Sequence, residues 1–158
     1  VQDDPRILFL FIGGGNGKKL IDEFIAREGV SNVRTLPYQP LDMIKYSLSA
    51  GDVHLVAMGE AMVGIVHPCK VYGAMTVARP VLFLGPMESH VGELLGQHDI
   101  GWQVDHGDVD LAEQCIRQMA GSSASELAEK GQLARETIHQ QLSMKTLCGK
   151  FCDVAEWN

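Results

Sequence analysis

The chain has 158 residues, 46% of them hydrophobic and 21% charged, and its 20 acids against 13 bases leave a formal charge of −7. That length suits one domain with a real core, burying about 70% of the surface its unfolded form exposes. The acidic balance argues against a nucleic-acid binder, which needs a basic face, and no apolar run nears the roughly 20 residues of a membrane span. Any anionic ligand must therefore be met by local groups. Cys69, Cys115, Cys148 and Cys152 are too few and too scattered for a disulfide framework, so they read as reduced thiols of a cytosolic protein. The opening Val1-Gln-Asp-Asp-Pro5 shows neither a methionine nor a signal peptide, and an excised piece is the expectation.

The run Arg6-Ile-Leu-Phe-Leu-Phe-Ile12 is apolar without alternation, the pattern of a strand covered on both faces, and it ends at three glycines. A helix follows, with Asn16 as its N-cap, Leu20, Ile21, Phe24 and Ile25 at helical spacing, and Gly29 as its stop. A strand over 33–36 leads to the turn Pro37-Tyr38-Gln39-Pro40. Leu41, Ile44 and Leu48 then give the buried stripe of a helix reaching Ala50. The same unit recurs as strand 53–57 with helix 68–77, strand 81–84 with helix 89–96, and strand 101–104 with helix 108–120. Two more helices end the chain. Ser123 and Glu126 make a capping box for the first; Met144, Leu147, Cys148, Phe151 and Val154 form an apolar face on the second, with Cys148 and Cys152 read as core thiols. The predicted fold is α/β, a Rossmann-like doubly wound parallel sheet of about five strands with helices on both faces and two extra C-terminal helices, all in one domain over 1–158.

In such a sheet ligands sit at the carboxyl ends of the strands, here the loops 13–17, 37–40, 58–67, 85–90 and 105–107. The stretch from Gly64 to Gly85 is the most pointed. Pro68 suits a first helical turn, the Arg79-Pro80 step ends the helix, and Lys70 stands in the first turn, where a cation opposes the dipole. Free amides at such a helix start attract phosphate, and the misplaced lysine asks for an anion. Gly13-Gly-Gly15-Asn16-Gly17-Lys18-Lys19 resembles a phosphate cradle, yet it lacks the spacing of a P-loop and the third glycine and acid of a dinucleotide fingerprint. A tight turn with solvated lysines accounts for it equally well, which argues against an NAD-dependent enzyme.

His67, Cys69, His90, Cys148 and Cys152 show no paired zinc-site spacing, so no metal is expected. His54 reads as a satisfied core histidine. His67, just before the phosphate-facing helix, suits a packing role and a chemical one equally. No serine or cysteine nucleophile signature appears, and Glu60 and Glu88 are isolated, so the chain carries no self-contained catalytic set.

Taken in order, these features resemble the carboxyl-terminal half of the family 4 (group 1) glycosyltransferases, which have the two-lobed GT-B fold. Phe9-Leu-Phe-Ile-Gly13-Gly-Gly15 resembles the strand and glycine turn of that half, and Asn32-Val-Arg-Thr-Leu36-Pro-Tyr38 its next short strand. Ser47-Leu-Ser-Ala50-Gly-Asp52-Val-His-Leu-Val56 is similar to the family's "aaADv.lv" segment. Pro68-Cys69-Lys70-Val-Tyr72-Gly73-Ala-Met75-Thr-Val-Ala-Arg79-Pro80 resembles the motif Pro-Ser-Lys-x-Tyr-Glu-x-Met-Ala-Ala-Gly-Arg-Pro of one branch.

The resemblance implies a lobe that holds a nucleotide diphosphate-sugar donor, from which a hexose or similar sugar passes to a glycan or lipid-linked acceptor held by a missing first lobe. It places Gly13, Gly15 and Asn16 with Pro37, Tyr38 and Gln39 beside the nucleoside. Gly64, Ile65, Val66 and His67 would offer backbone amides to the donor sugar and phosphate, with Lys70 by the pyrophosphate and no bound metal or other cofactor. Two departures stand out. Gly73 occupies the position of a ribose-gripping glutamate, and Ile65 that of its partner glutamate, for which Glu60 is a substitute on a longer loop. The family's lobe also begins with a strand and helix bearing an arginine and a lysine, and this chain is expected to start after them, as a truncated carboxyl-terminal lobe. The expectation is therefore a cytoplasmic or membrane-peripheral glycosyltransferase of polysaccharide biosynthesis whose isolated piece is inactive and can self-associate through its last helix. The alternatives are a non-catalytic nucleotide-binding scaffold of the same fold and a GT-B sugar-nucleotide epimerase.

Overall fold

A computed structural model describes residues 1–155, apart from the side chain of Asn16. Strands and helices alternate as β1 (Phe9–Ile12), α1 (Asn16–Glu28), β2 (Val33–Leu36), α2 (Ile44–Ser49), β3 (His54–Ala57), α3 (Lys70–Thr76), β4 (Val81–Leu84), α4 (His90–Gln97) and β5 (Gly101–Val104). Three helices follow in succession: α5 (Val109–Gly121), α6 (Ala124–Gln141) and α7 (Met144–Ala155). Every strand pairs in parallel, as the alternation of apolar runs with helices predicts.

The strands do not join into one sheet. β1 pairs with β2 alone, while β3, β4 and β5 form a second sheet with β4 in the middle. A doubly wound sheet reverses its strand order at a central switch point, and here β1 and β3 flank that point with no described strand bonded to both. Each therefore keeps one edge of backbone N–H and C=O groups unpaired.

The core belongs to the larger sheet. β4 shows why: alternate side chains leave opposite faces, so Val81 and Phe83 join Val56, Val71, Met75 and Ile100 in one cluster while Leu82 joins Val104, Cys115 and Met119 in another. The first cluster reaches Ala134 of α6, and the second is built with α5. The smaller sheet is thinly covered. Leu8, Phe11, Ile12, Leu20 and Phe24 are all exposed, and an apolar cavity of about 360 Å³ opens between Phe9, Phe11, Leu20, Ile21, Phe24 and Val33.

Local signals account for most helix ends. Gly29 takes the left-handed conformation after α1 at φ 62°, Ser89 accepts the Gly92 N–H at the start of α4, and the Ser123–Glu126 capping box forms on α6. Asn16 is instead the first helical residue, because Gly15, at φ 120°, holds the capping position; the Asn16 side chain lies outside the described residues. α3 is shorter than predicted, with seven residues, and is closed by Ala78 at φ 55°, the position of the glycine in the quoted motif.

Two buried faces predicted from periodicity are open. Leu41 and Ile44 are 83% and 52% exposed, since the segment splits into a 3-10 turn over Leu41–Met43 and a six-residue α2. On α7, Met144, Leu147, Phe151 and Val154 are exposed, and so are Cys148 and Cys152, which are not core thiols. α7 packs on α6 and leaves its apolar stripe uncovered. Of the four cysteines only Cys115 is buried.

Candidate functional site

The carboxyl ends of the strands form two corners, one on each sheet. At the β1–β2 corner the glycine turn meets the loop after β2, as the sequence suggests, but with an aromatic ring between them. A Cβ on Gly13 or Gly14 would lie 3.2 Å or 2.9 Å from the Tyr38 ring, so these glycines let Tyr38 lie across the turn. Tyr38 is nevertheless 77% exposed and presents an open aromatic surface. Gln39 donates to the carbonyl of Pro37 and fixes that loop. Lys18 is not free for a phosphate: it donates to Asp22 at 2.6 Å and to Thr35 Oγ1 at 3.3 Å, tying α1 to β2.

The β3–β4 corner holds Gly64, Ile65, Val66, His67 and Lys70. Its amides are less available than the sequence implies. The N–H groups of Ile65 and Val66 both donate to the Met62 carbonyl, and those of Val71 and Tyr72 donate to Pro68 and Cys69. A seven-residue helix also adds little dipole. Lys70 is exposed and makes no ion pair or hydrogen bond among the described residues. Gly73 faces α2, where an added Cβ would touch Leu48 at 3.6 Å, an ordinary contact. Nothing in the packing there demands a glycine.

Three side chains that the sequence leaves apart converge at this corner. The Tyr72 hydroxyl is hydrogen-bonded to His67 Nε2 and lies 3.2 Å from His90 Nε2. The His67 ring stacks on Tyr72 at an interplanar angle of 11° and sits 4.3 Å from the His90 ring, centroid to centroid. Burial, and then Cys69, push the Tyr72 hydroxyl above the ordinary phenol range, so it remains a proton donor. Burial and then His67 lower the His90 imidazole, partly offset by Glu93. Of the three, only His67 stood out in the sequence as a candidate; His90 is 18 residues from Tyr72, and only the adjacency of β3 and β4 brings it in.

Further polar ties brace the same ends. His106 Nε2 bonds the Met58 carbonyl at 2.8 Å and Gln103 donates to the Gly85 carbonyl at 2.7 Å, so the loops after β3, β4 and β5 are held to one another. His54 bonds the Leu48 carbonyl at 2.7 Å, the satisfied histidine expected. Among the described residues no group of three or more His, Cys, Asp or Glu side chains is placed to hold a metal ion. No described helix is long and apolar enough to cross a membrane.

No family model matches the chain. Two curated proteins do. The chain is 25% identical over 148 residues to the probable glycosyltransferase WbjE of Pseudomonas aeruginosa, covering 94% of this chain and 36% of WbjE. It is 26% identical over 152 residues to WcaI of Escherichia coli strain K12, a putative colanic acid biosynthesis glycosyl transferase, covering 96% of this chain and 36% of WcaI. The chain thus spans about a third of the length of the curated relatives it matches. Its fold is similar to the crystal structure of WaaG, a glycosyltransferase involved in lipopolysaccharide biosynthesis, with a TM-score of 0.66 at 20% identity over 93% of this chain and 37% of that one. In sequence the chain is similar to about a third of two glycosyltransferases, and in fold to about a third of another.

Proposed function

We propose that this domain is the donor-binding lobe of a nucleotide-sugar glycosyltransferase acting in bacterial surface polysaccharide synthesis on the cytoplasmic side of the membrane. The nucleoside lies at the β1–β2 corner against Gly13, Gly15, Asn16, Pro37, Tyr38 and Gln39, and the diphosphate and sugar at the β3–β4 corner beside Gly64, His67 and Lys70. A preceding segment of the whole protein supplies the strand that fills the switch point between β1 and β3, and a further lobe holds the glycan or lipid-linked acceptor. Catalysis needs both substrates in one cleft, so the 158-residue chain alone does not transfer sugar. The open stripe of Met144, Leu147, Phe151 and Val154 on α7 lets the separate chain self-associate, which sedimentation equilibrium reads directly.

Lys70 carries this reading: an exposed cation without a carboxylate partner among the described residues, at the carboxyl end of the larger sheet, in a chain of net charge −7. In a thermal-shift titration, UDP-glucose or GDP-mannose raises the melting temperature more than free glucose, mannose or NAD does, and Lys70→Ala removes most of that rise. Equal shifts in the two proteins would overturn the donor site and leave a non-catalytic scaffold. Conversion of the donor without acceptor by the whole protein would instead identify an epimerase.

A further inference from the structure

The β3–β4 corner has to answer a doubly negative diphosphate with few of the groups that usually do so. Amides of Ile65, Val66, Val71 and Tyr72 are already bonded within the chain, and α3 is only seven residues long. Lys70 supplies one charge. The remaining polar atoms at these strand ends include His67, Tyr72 and His90, drawn from the loop after β3, from α3 and from the first residue of α4. Both histidines are exposed, so their grouping serves no buried core.

We propose that His67, Tyr72 and His90 act as one proton-sharing unit that presents an imidazolium to the diphosphate of a nucleotide sugar. This rests on the donor-site reading above and adds to it the group that meets the second charge. The chemistry follows from the hydrogen-bond inventory. A phenol has one proton to donate and lone pairs to accept, so Tyr72 is able to donate to one imidazole while accepting from the other, which links the two ring tautomers. Two imidazoles 4.3 Å apart do not both charge readily, so the unit takes up a single proton. Of the two rings, His67 is the one on the loop after β3, on the sugar-facing side, so the charge is presented to the ligand from there. With Nε2 held by Tyr72, the His67 Nδ1–H is the donor to a phosphate oxygen, making a charge-assisted bond. The other titratable and charged groups around the unit are Cys69 beside Tyr72 and Glu93 beside His90, with Lys70 in the first turn of α3 and Glu60 and Glu88 on the adjoining loops. Within this unit His67 touches the ligand, and Tyr72 and His90 are positioning residues.

The test uses UDP-glucose and GDP-mannose, whose diphosphate diesters do not themselves titrate near neutrality, so that any pH dependence belongs to the protein. Calorimetric affinity is expected to fall about tenfold between pH 6 and pH 7.5 as the imidazolium is lost. His67→Gln flattens this dependence. Tyr72→Phe leaves binding measurable but uncouples the two histidine titrations seen by nitrogen-15 NMR, whereas a purely structural tyrosine would leave them unchanged. Lys70→Ala weakens binding at every pH with the same ratio between pH values. Binding that is independent of pH, or a pH ratio retained in His67→Gln, overturns the proton-sharing unit and leaves the donor site standing. No binding of either nucleotide sugar at any pH overturns both.

Discussion

Single side chains set the chemistry of the two strand-end corners. Lys70 was legible in the sequence, because a lysine in the first turn of a helix opposes the dipole and stands out without any tertiary information. The substitution at Gly73 was legible too, but not its surroundings: the structure turns that position toward Leu48 with room for a Cβ. Gly73→Ala is therefore expected to fold normally, with a melting temperature within a few degrees of the parent, which paired melting curves check. Nothing in the sequence ties His90 to His67 or Tyr72, since a contact across two strands leaves no trace in local spacing.

At the scale of elements, caps and turns were read well and exposed faces poorly. The Ser123–Glu126 box and the Gly29 stop involve residues a few positions apart, so local sequence suffices. Ala78 is the exception. A non-glycine residue at φ 55° crowds its Cβ against the following carbonyl, at a cost of about 1 kcal/mol or more. Ala78→Gly is expected to stabilise the domain by about 0.5–1 kcal/mol, read as a higher urea midpoint at unchanged slope. The neighbouring Gly131 permits no such freedom, because a Cβ there would come within 2.0 Å of the Ala78 carbonyl oxygen. α2 and α7 show the opposite lesson: their apolar spacing is genuine, but what covers a face is decided by other segments.

The whole molecule is two parallel sheets whose inner edges do not meet. Leu55 on β3 and Leu8 and Phe11 beside or on β1 remain exposed, and the cavity of about 360 Å³ under α1 is lined by apolar side chains of β1, α1 and β2. Hydrogen exchange tests whether this half is incomplete. In the 158-residue chain the β1 and β2 amides are expected to exchange at least tenfold faster than those of the central β4. Equal protection of β1 and β4 would show that the small sheet is already complete.

The sequence by itself determined the α/β class, the order and parallel sense of the strands, most helix ends and the lysine in the first turn of α3. Each depends on local apolar runs, turn residues or a charge against a helix dipole. Tertiary structure alone decided that the strands split into two sheets, that Tyr38 lies over the glycine turn, that α7 is bare and that His90 joins His67 through Tyr72. Those outcomes depend on which distant segments lie side by side, and hydrophobic periodicity marks a face for burial without naming the partner that buries it.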